Sequence, residues 1–167
     1  ESSPDEEHLT KILRSLLLSR MAMFDDLRVI NEAVRRLTAH VERDEPIAAD
    51  LRSSIYEAAM RSKKRNFFDD LCHIYRETTL HEEKVRVASA LGSTDDEATL
   101  GSALEFAMSS EVQPHDTFII ISSVASSQLG RDLAWNHFRD NWNLFNERFN
   151  DDALLTRLIK SLTENFA

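Results

Sequence analysis

Gly130-Arg131-Asp132-Leu133-Ala134-Trp135, continuing through Phe138, Asn141, Trp142, Phe145 and Phe149, is the stretch whose reading decides the fold. Trp135, Phe138, Trp142, Phe145 and Phe149 stand 3, 4, 3 and 4 residues apart, which lines them along one face of a helix. Both tryptophans and three of the nine phenylalanines lie on this stripe. Arg131, Asn136, Arg139, Asp140, Asn143 and Asn146 fall largely on the other side, where water solvates them. Gly130 is expected to end the preceding helix, and Asp132 to set a negative charge near the positive N-terminus of this one. The stripe predicts one aromatic core helix and, taken alone, no function.

Outward from it the same periodicity repeats. It predicts helices over residues 7–24, with Leu9, Ile12, Leu13, Leu16 and Leu17 inward, and 25–42, with Leu27, Ile30, Val34, Leu37 and Val41. Pro46 precedes a helix over 48–61 carrying Leu51, Ile55, Ala58 and Ala59, and 66–77 follows with Phe67, Phe68, Leu71, Ile74 and Tyr75. Thr79 with Glu82, and Thr94 with Glu97, have capping-box spacing and predict helix starts at Leu80 and after Thr94, the first of these helices running to Gly92. Gly101 sits inside the second at a cost of about 1 kcal/mol. Pro114 is placed in the next loop. Residues 116–127 contain Phe-Ile-Ile-Ile, which suits a buried strand; no other strand is available to pair with it, so a buried helix is predicted. A last helix covers 151–166, with Leu154, Leu155, Leu158, Ile159 and Leu162 inward.

The expected fold class is therefore all-α, about nine helices whose starts recur at roughly 17 residues. A helical pair then takes roughly 34 to 36 residues, the range of α-solenoid repeats, with little sequence self-similarity. This predicts a right-handed superhelical stack of antiparallel helix hairpins, HEAT- or armadillo-like. No linker divides residues 1–167, and they are expected to form a single helical domain.

Composition narrows the function. With 42% hydrophobic and 29% charged residues the chain is globular rather than disordered. A net charge of -9 argues against nucleic acid and anionic membrane surfaces as partners. Residues 118–121, the longest strongly apolar run, are far too short to span a bilayer. Cys72 stands alone and points weakly to a reducing compartment. The acidic start, Glu1-Ser2-Ser3-Pro4-Asp5-Glu6-Glu7, carries no secretory signal and no initiator Met, and is read as belonging to a piece of a longer protein.

Four groups of residues invite a chemical reading. His73, Glu77 and His81 would share a face and supply a zinc set if one helix ran through all three, but Thr78-Thr79 reads as a break. His81-Glu82 opens like His-Glu-x-x-His and fails at Val85. Ser122, Ser123, Ser126 and Ser127, near His115 and Asp116, lack the Gly-x-Ser-x-Gly elbow and read as small residues for close helix packing. Arg61-Ser62-Lys63-Lys64-Arg65 reads as a solvated loop, with an anion or a partner as the alternative. No catalytic apparatus emerges.

Two blocks carry a resemblance. The first is Glu82-Glu83-Lys84, Arg86, Ala90-Leu91-Gly92, Leu104-Glu105-Phe106-Ala107-Met108-Ser109, Val112 and Asp116. The second is Gly130-Arg131-Asp132-Leu133-Ala134-Trp135, Phe138, Asn141-Trp142 and the ending from Arg157 to Ala167, with Ala49-Asp50-Leu51-Arg52 and Ile55-Tyr56 upstream. In order and spacing they resemble the C-terminal helical domain of the gluzincin zinc aminopeptidases, and in particular the puromycin-sensitive, cytosolic branch. Departures are His115-Asp116, where the family reads Gln-Asp, and the acidic Asp151-Asp152 turn, where it is Gly-rich.

The resemblance implies a parent zinc metalloaminopeptidase removing N-terminal residues from peptides. In that family the zinc, its His-Glu-x-x-His and distal Glu ligands and the Gly-x-Met-Glu-Asn segment lie upstream; none of these motifs occurs here, so no catalytic or metal residue and no cofactor is assigned to this chain. Its implied role is a non-catalytic helical bowl that lines and closes the substrate cavity. Arg52, Arg86 and Lys160 are the candidates for meeting peptide carboxylates there. The implied partners are the upstream catalytic domain and peptide substrates, with self-association of the piece possible through faces its neighbours would cover. The implied location is cytoplasmic. The alternative is a free-standing helical-repeat module that binds a protein and has no enzyme activity.

Overall fold

A computed structural model describes residues 8–149 and 152–164. Among them are ten α-helices and no strand: α1 His8–Met23, α2 Leu27–Arg43, α3 Arg52–Met60, α4 Phe68–Glu77, α5 His81–Ala90, α6 Glu97–Met108, α7 Pro114–Ala125, α8 Gln128–Asp140, α9 Trp142–Arg148 and α10 Asp152–Glu164. The all-α class is as expected, and the Phe-Ile-Ile-Ile run is helical, with Ile120 and Ile121 fully buried in α7. Pro114 does not lie in the loop; it occupies the first turn of α7, where its missing N–H has no helical partner to lose.

Helices α1, α3, α5 and α7 pack side by side in a row that α10 continues, and α2, α4, α6 and α8 lean against it. Between the two sets lies the core, including Leu37, Tyr56, Phe67, Leu71, Tyr75, Leu100, Phe145 and Leu158. At two places small residues set the approach of the helices. Ser123 Oγ donates to Ser89 O at 2.6 Å, joining α7 to α5, and Ser161 Oγ lies 3.1 Å from Ser122 Oγ, joining α10 to α7.

Several expectations are corrected. The aromatic stripe is not one helix. Asn141 leaves helical geometry (φ -114, ψ 23), and its side-chain amide donates to His137 O at 2.9 Å, so α8 ends and α9 begins at Trp142. The stripe holds across the break, since the Phe138 ring lies 5.5 Å from Trp142 and 5.0 Å from Phe145. Phe138, Phe145 and Phe149 are buried, whereas Trp142 stays 44% exposed. Gly130 opens α8 instead of closing α7. Ser127 is the cap, its Oγ accepting from Gly130 N at 2.9 Å, and Asp132 lies beyond the first turn.

Neither predicted Thr cap forms. Leu80 precedes α5 without a side-chain cap, while Asp96 caps α6 by accepting from Thr99 N at 2.8 Å. Thr94 accepts from Asp96 N one step earlier. The face of α1 expected to be inward is open: Leu9 is 74% exposed, and Ile12, Leu13, Leu16 and Leu17 are between 51 and 54%. Among the described residues the main packing partners of α1 are α3 and α2, and Ala22 with half-buried Leu18 lies at the core there. Leu27, expected inward on α2, is likewise exposed. The expected turn at Asp151 and the ending from Asn165 lie outside the described residues.

Gly101 has open space where a Cβ would stand. Gly101→Ala therefore removes glycine's helix cost without a clash and should stabilise the fold by about 1 kcal/mol. Denaturant unfolding checks this, and an unchanged or lower midpoint would contradict it.

Candidate functional site

The most developed polar cluster sits where the first turn of α5 meets α3. Glu83 stands four residues before Val87 and eight before Leu91, both fully buried, so helical geometry carries its carboxylate to the core side, where it is 3% exposed. Three donors meet it. Tyr56 O–H donates to Oε1 at 2.6 Å, and Arg52 Nη1 and Arg86 Nη1 both donate to Oε2, at 3.0 and 2.8 Å. Arg52 also donates from Nε to Ile47 O at 3.2 Å, which fixes its guanidinium at the head of α3.

The electrostatics follow from burial and pairing. Burial pushes the Glu83 carboxyl up, but the hydrogen bonds from Tyr56, Arg52 and Arg86 outweigh it and hold the group below the usual glutamate range. Burial, and then the adjacent carboxylate, push the Tyr56 phenol well above its ordinary value, so it stays a donor. Two guanidiniums share one buried carboxylate, with Glu82 Oε2 a further 3.6 Å from Arg86 Nη2 and almost fully solvated. Arg52 and Arg86 remain 28% and 25% exposed. The cluster thus fixes two cations at the rim of the helix row, beside the N-terminus of α5.

Of the three residues singled out from sequence, the fold brings Arg52 and Arg86 together. Lys160 is exposed on α10, whose main contacts are α7 and α8, and it does not join them. Glu83, the residue that organises the pair, was not singled out. Its signal was a charged residue at a core position of a helical pattern.

The other sequence candidates resolve differently. Thr78 is extended (ψ 135) and ends α4, so His73 and Glu77 part from His81. His81 instead lies against His115, with ring centroids 5.9 Å apart. Among the described residues no three His, Cys, Asp or Glu side chains converge as a metal set. The basic run is not simply solvated. Arg61 bridges Asp25 and Asp95 at 3.0 and 2.8 Å, Lys64 Nζ reaches Asn31, and Arg65 pairs with Glu42 and Asp70 while stacking on Phe67.

A second buried carboxylate, Asp116 at the head of α7, accepts from Tyr75 O–H at 2.6 Å. Arg148 on α9 donates to Thr117 Oγ1 and to the carbonyls of Met108, Ser109 and Val112, closing the α6–α7 loop over it. These contacts connect α4, α7 and α9, and they tie Met108, Ser109, Val112 and Asp116 of the first block into one packing unit.

The family described as the ERAP1-like C-terminal domain matches residues 1–167, the whole chain. The chain belongs to that family. Among its relatives, Aminopeptidase M1 of Arabidopsis thaliana is 33% identical over 97% of this chain and 19% of its own length. Puromycin-sensitive aminopeptidase of Caenorhabditis elegans is 23% identical over 96% of this chain and 17% of its own. Glutamyl aminopeptidase of Rattus norvegicus is 26% identical over 91% and 16%. This member of the ERAP1-like C-terminal domain family thus spans about a fifth of the length of the relatives it matches. Among its described residues no helix is long and apolar enough to cross a membrane.

Proposed function

We propose that this chain is the non-catalytic C-terminal helical segment of a zinc-dependent aminopeptidase that removes N-terminal residues from peptides. The observation that carries this reading is the family match along all of residues 1–167, with relatives named as aminopeptidases that are about five times longer. Zinc, held by the part of the enzyme outside this chain, supplies a Lewis acid and an activated water. What this chain contributes is a wall: its residues form one domain of a right-handed superhelical bowl that closes over the cavity, excludes water and positions the peptide. The Arg52–Arg86 pair, carrying more positive than buried negative charge, meets peptide carboxylates, and Lys160 does so separately from α10. Buried Cys72, its thiol pushed up to about 12 chiefly by burial, is inert and suits a cytoplasmic protein.

The open face of α1 is the docking surface for the upstream part, and the piece on its own self-associates through it. The test is peptide hydrolysis by the separately expressed upstream part, with and without this chain. Restored or reshaped cleavage of longer peptides is expected, and Leu13→Glu with Leu16→Glu should abolish it without unfolding the chain, since both leucines are about half exposed. Absence of association would overturn the reading in favour of a free-standing helical module that binds another protein. In the whole enzyme, Arg52→Gln with Arg86→Gln should raise KM about tenfold for peptides ending in a carboxylate, and leave amidated peptides unchanged. Equal effects on both would remove the pair from substrate contact.

A further inference from the structure

We propose that Ser62 is a phosphoacceptor, and that phosphate there opens the clasp Arg61 makes between the α1–α2 turn and the α5–α6 loop. Ser62 lies in the α3–α4 loop, half-buried, flanked by Arg61 and Lys63 and followed by Lys64 and Arg65. Its Oγ accepts from two consecutive backbone amides, Lys64 N at 3.2 Å and Arg65 N at 3.4 Å. Successive N–H groups aimed at one point form a small anion-binding concavity, which a neutral hydroxyl fills weakly and a phosphate dianion fills well. Basic residues on both sides of the acceptor are the charge pattern that a basophilic kinase selects. In the transfer, Ser62 Oγ bonds to the γ-phosphorus of a nucleoside triphosphate. The bond from that phosphorus to the β–γ bridging oxygen breaks, the diphosphate leaves, and the hydroxyl proton passes to the kinase's base.

The consequence follows from what Arg61 holds. Its Nη2 bridges Asp25 and Asp95, and its Nε is buried without a partner. A phosphate on the next residue competes for this guanidinium. It also repels Asp95 and Asp96, which share with Ser62 a cleft of about 490 Å³. Glu42 and Asp70 keep Arg65 engaged, Lys64 is held by Asn31 and Lys63 is exposed to solvent, so Arg61, largely buried with a partnerless Nε, is the clasp cation that changes partner. Arg61 also lines the groove of about 660 Å³ along α1 and α3, so its movement reshapes both.

The experiment treats the full-length protein with a basophilic serine/threonine kinase and Mg-ATP, then maps phosphate by mass spectrometry and backbone opening by hydrogen exchange. Phosphate is expected on Ser62, with exchange at residues 24–27 and 93–96 rising about fivefold. Ser62→Thr should accept phosphate and respond in the same way, while Ser62→Ala should do neither. Modification only after denaturation, modification of neither native nor denatured protein, or a phosphorylated Ser62 with unchanged exchange at both segments would each overturn the proposal.

Discussion

Gly130→Ala is expected to destabilise the chain by about 3 kcal/mol, the upper range for forced overpacking of a close-packed core. A Cβ on Gly130 would stand 2.1 Å from Val124 O and 2.9 Å from Val124 C, both backbone atoms. Backbone at the end of α7 cannot swing aside as the tip of a side chain can, so the α7–α8 junction must separate. That junction is also where Ser127 caps α8, so the same movement breaks the hydrogen bond to Gly130 N. Gly92 faces α7 at Ser123 and Val124 in the same manner, with a Cβ 2.4 Å from backbone. Denaturant unfolding of Gly130→Ala beside Gly101→Ala gives the decisive contrast, because the two substitutions should move the midpoint in opposite directions. A Gly130→Ala loss under about 1 kcal/mol would mean that the close approach relaxes cheaply.

Glu83→Ala is the second large effect, expected to cost about 3 kcal/mol because it strands partners rather than merely deleting a contact. Tyr56 O–H, fully buried, loses its acceptor, and Arg52 and Arg86 are left facing each other without the carboxylate between them. The two arginines are about a quarter exposed, and water takes up part of that cost. Glu83→Gln, which keeps an acceptor for Tyr56 but removes the charge, should lose about 2 kcal/mol.

The pH dependence supplies an independent check. Glu83 is held below its ordinary value of 4.5, so between the two values the unfolded chain binds the proton more readily than the folded one. Its stabilisation is therefore complete above 4.5 and is lost as pH falls through the lower folded value. His137, lowered chiefly by burial, has the same sign starting from 6.5, since its protonation is easier once unfolded. The wild-type stability should fall on acidification, and Glu83→Ala should show a shallower fall below 4.5. Parallel profiles for the two proteins would mean that Glu83 is not the ionised partner of the arginines.

Residue order alone determined the all-α class, the positions of most helices and the family, because those depend on local periodicity and on short blocks of side chains. Phe138, Phe145 and Phe149 could be placed in the core from spacing, and Ile120 and Ile121 in a helix from the want of any partner strand. Tertiary structure decided the rest. Whether Asn141 continues a helix depends on its amide finding His137 O, and whether Gly130 closes one helix or opens the next depends on how near Val124 comes. The inward face of α1 could not be read from its leucines, since burial is a property of what packs against a helix and not of the helix. Arg52 and Arg86 read as separate surface charges in the sequence, 34 positions apart. Only the packing of α3 on α5, which buries Glu83 between them, makes them a pair, because charges far apart along the chain interact through space and carry no sequence periodicity to announce it.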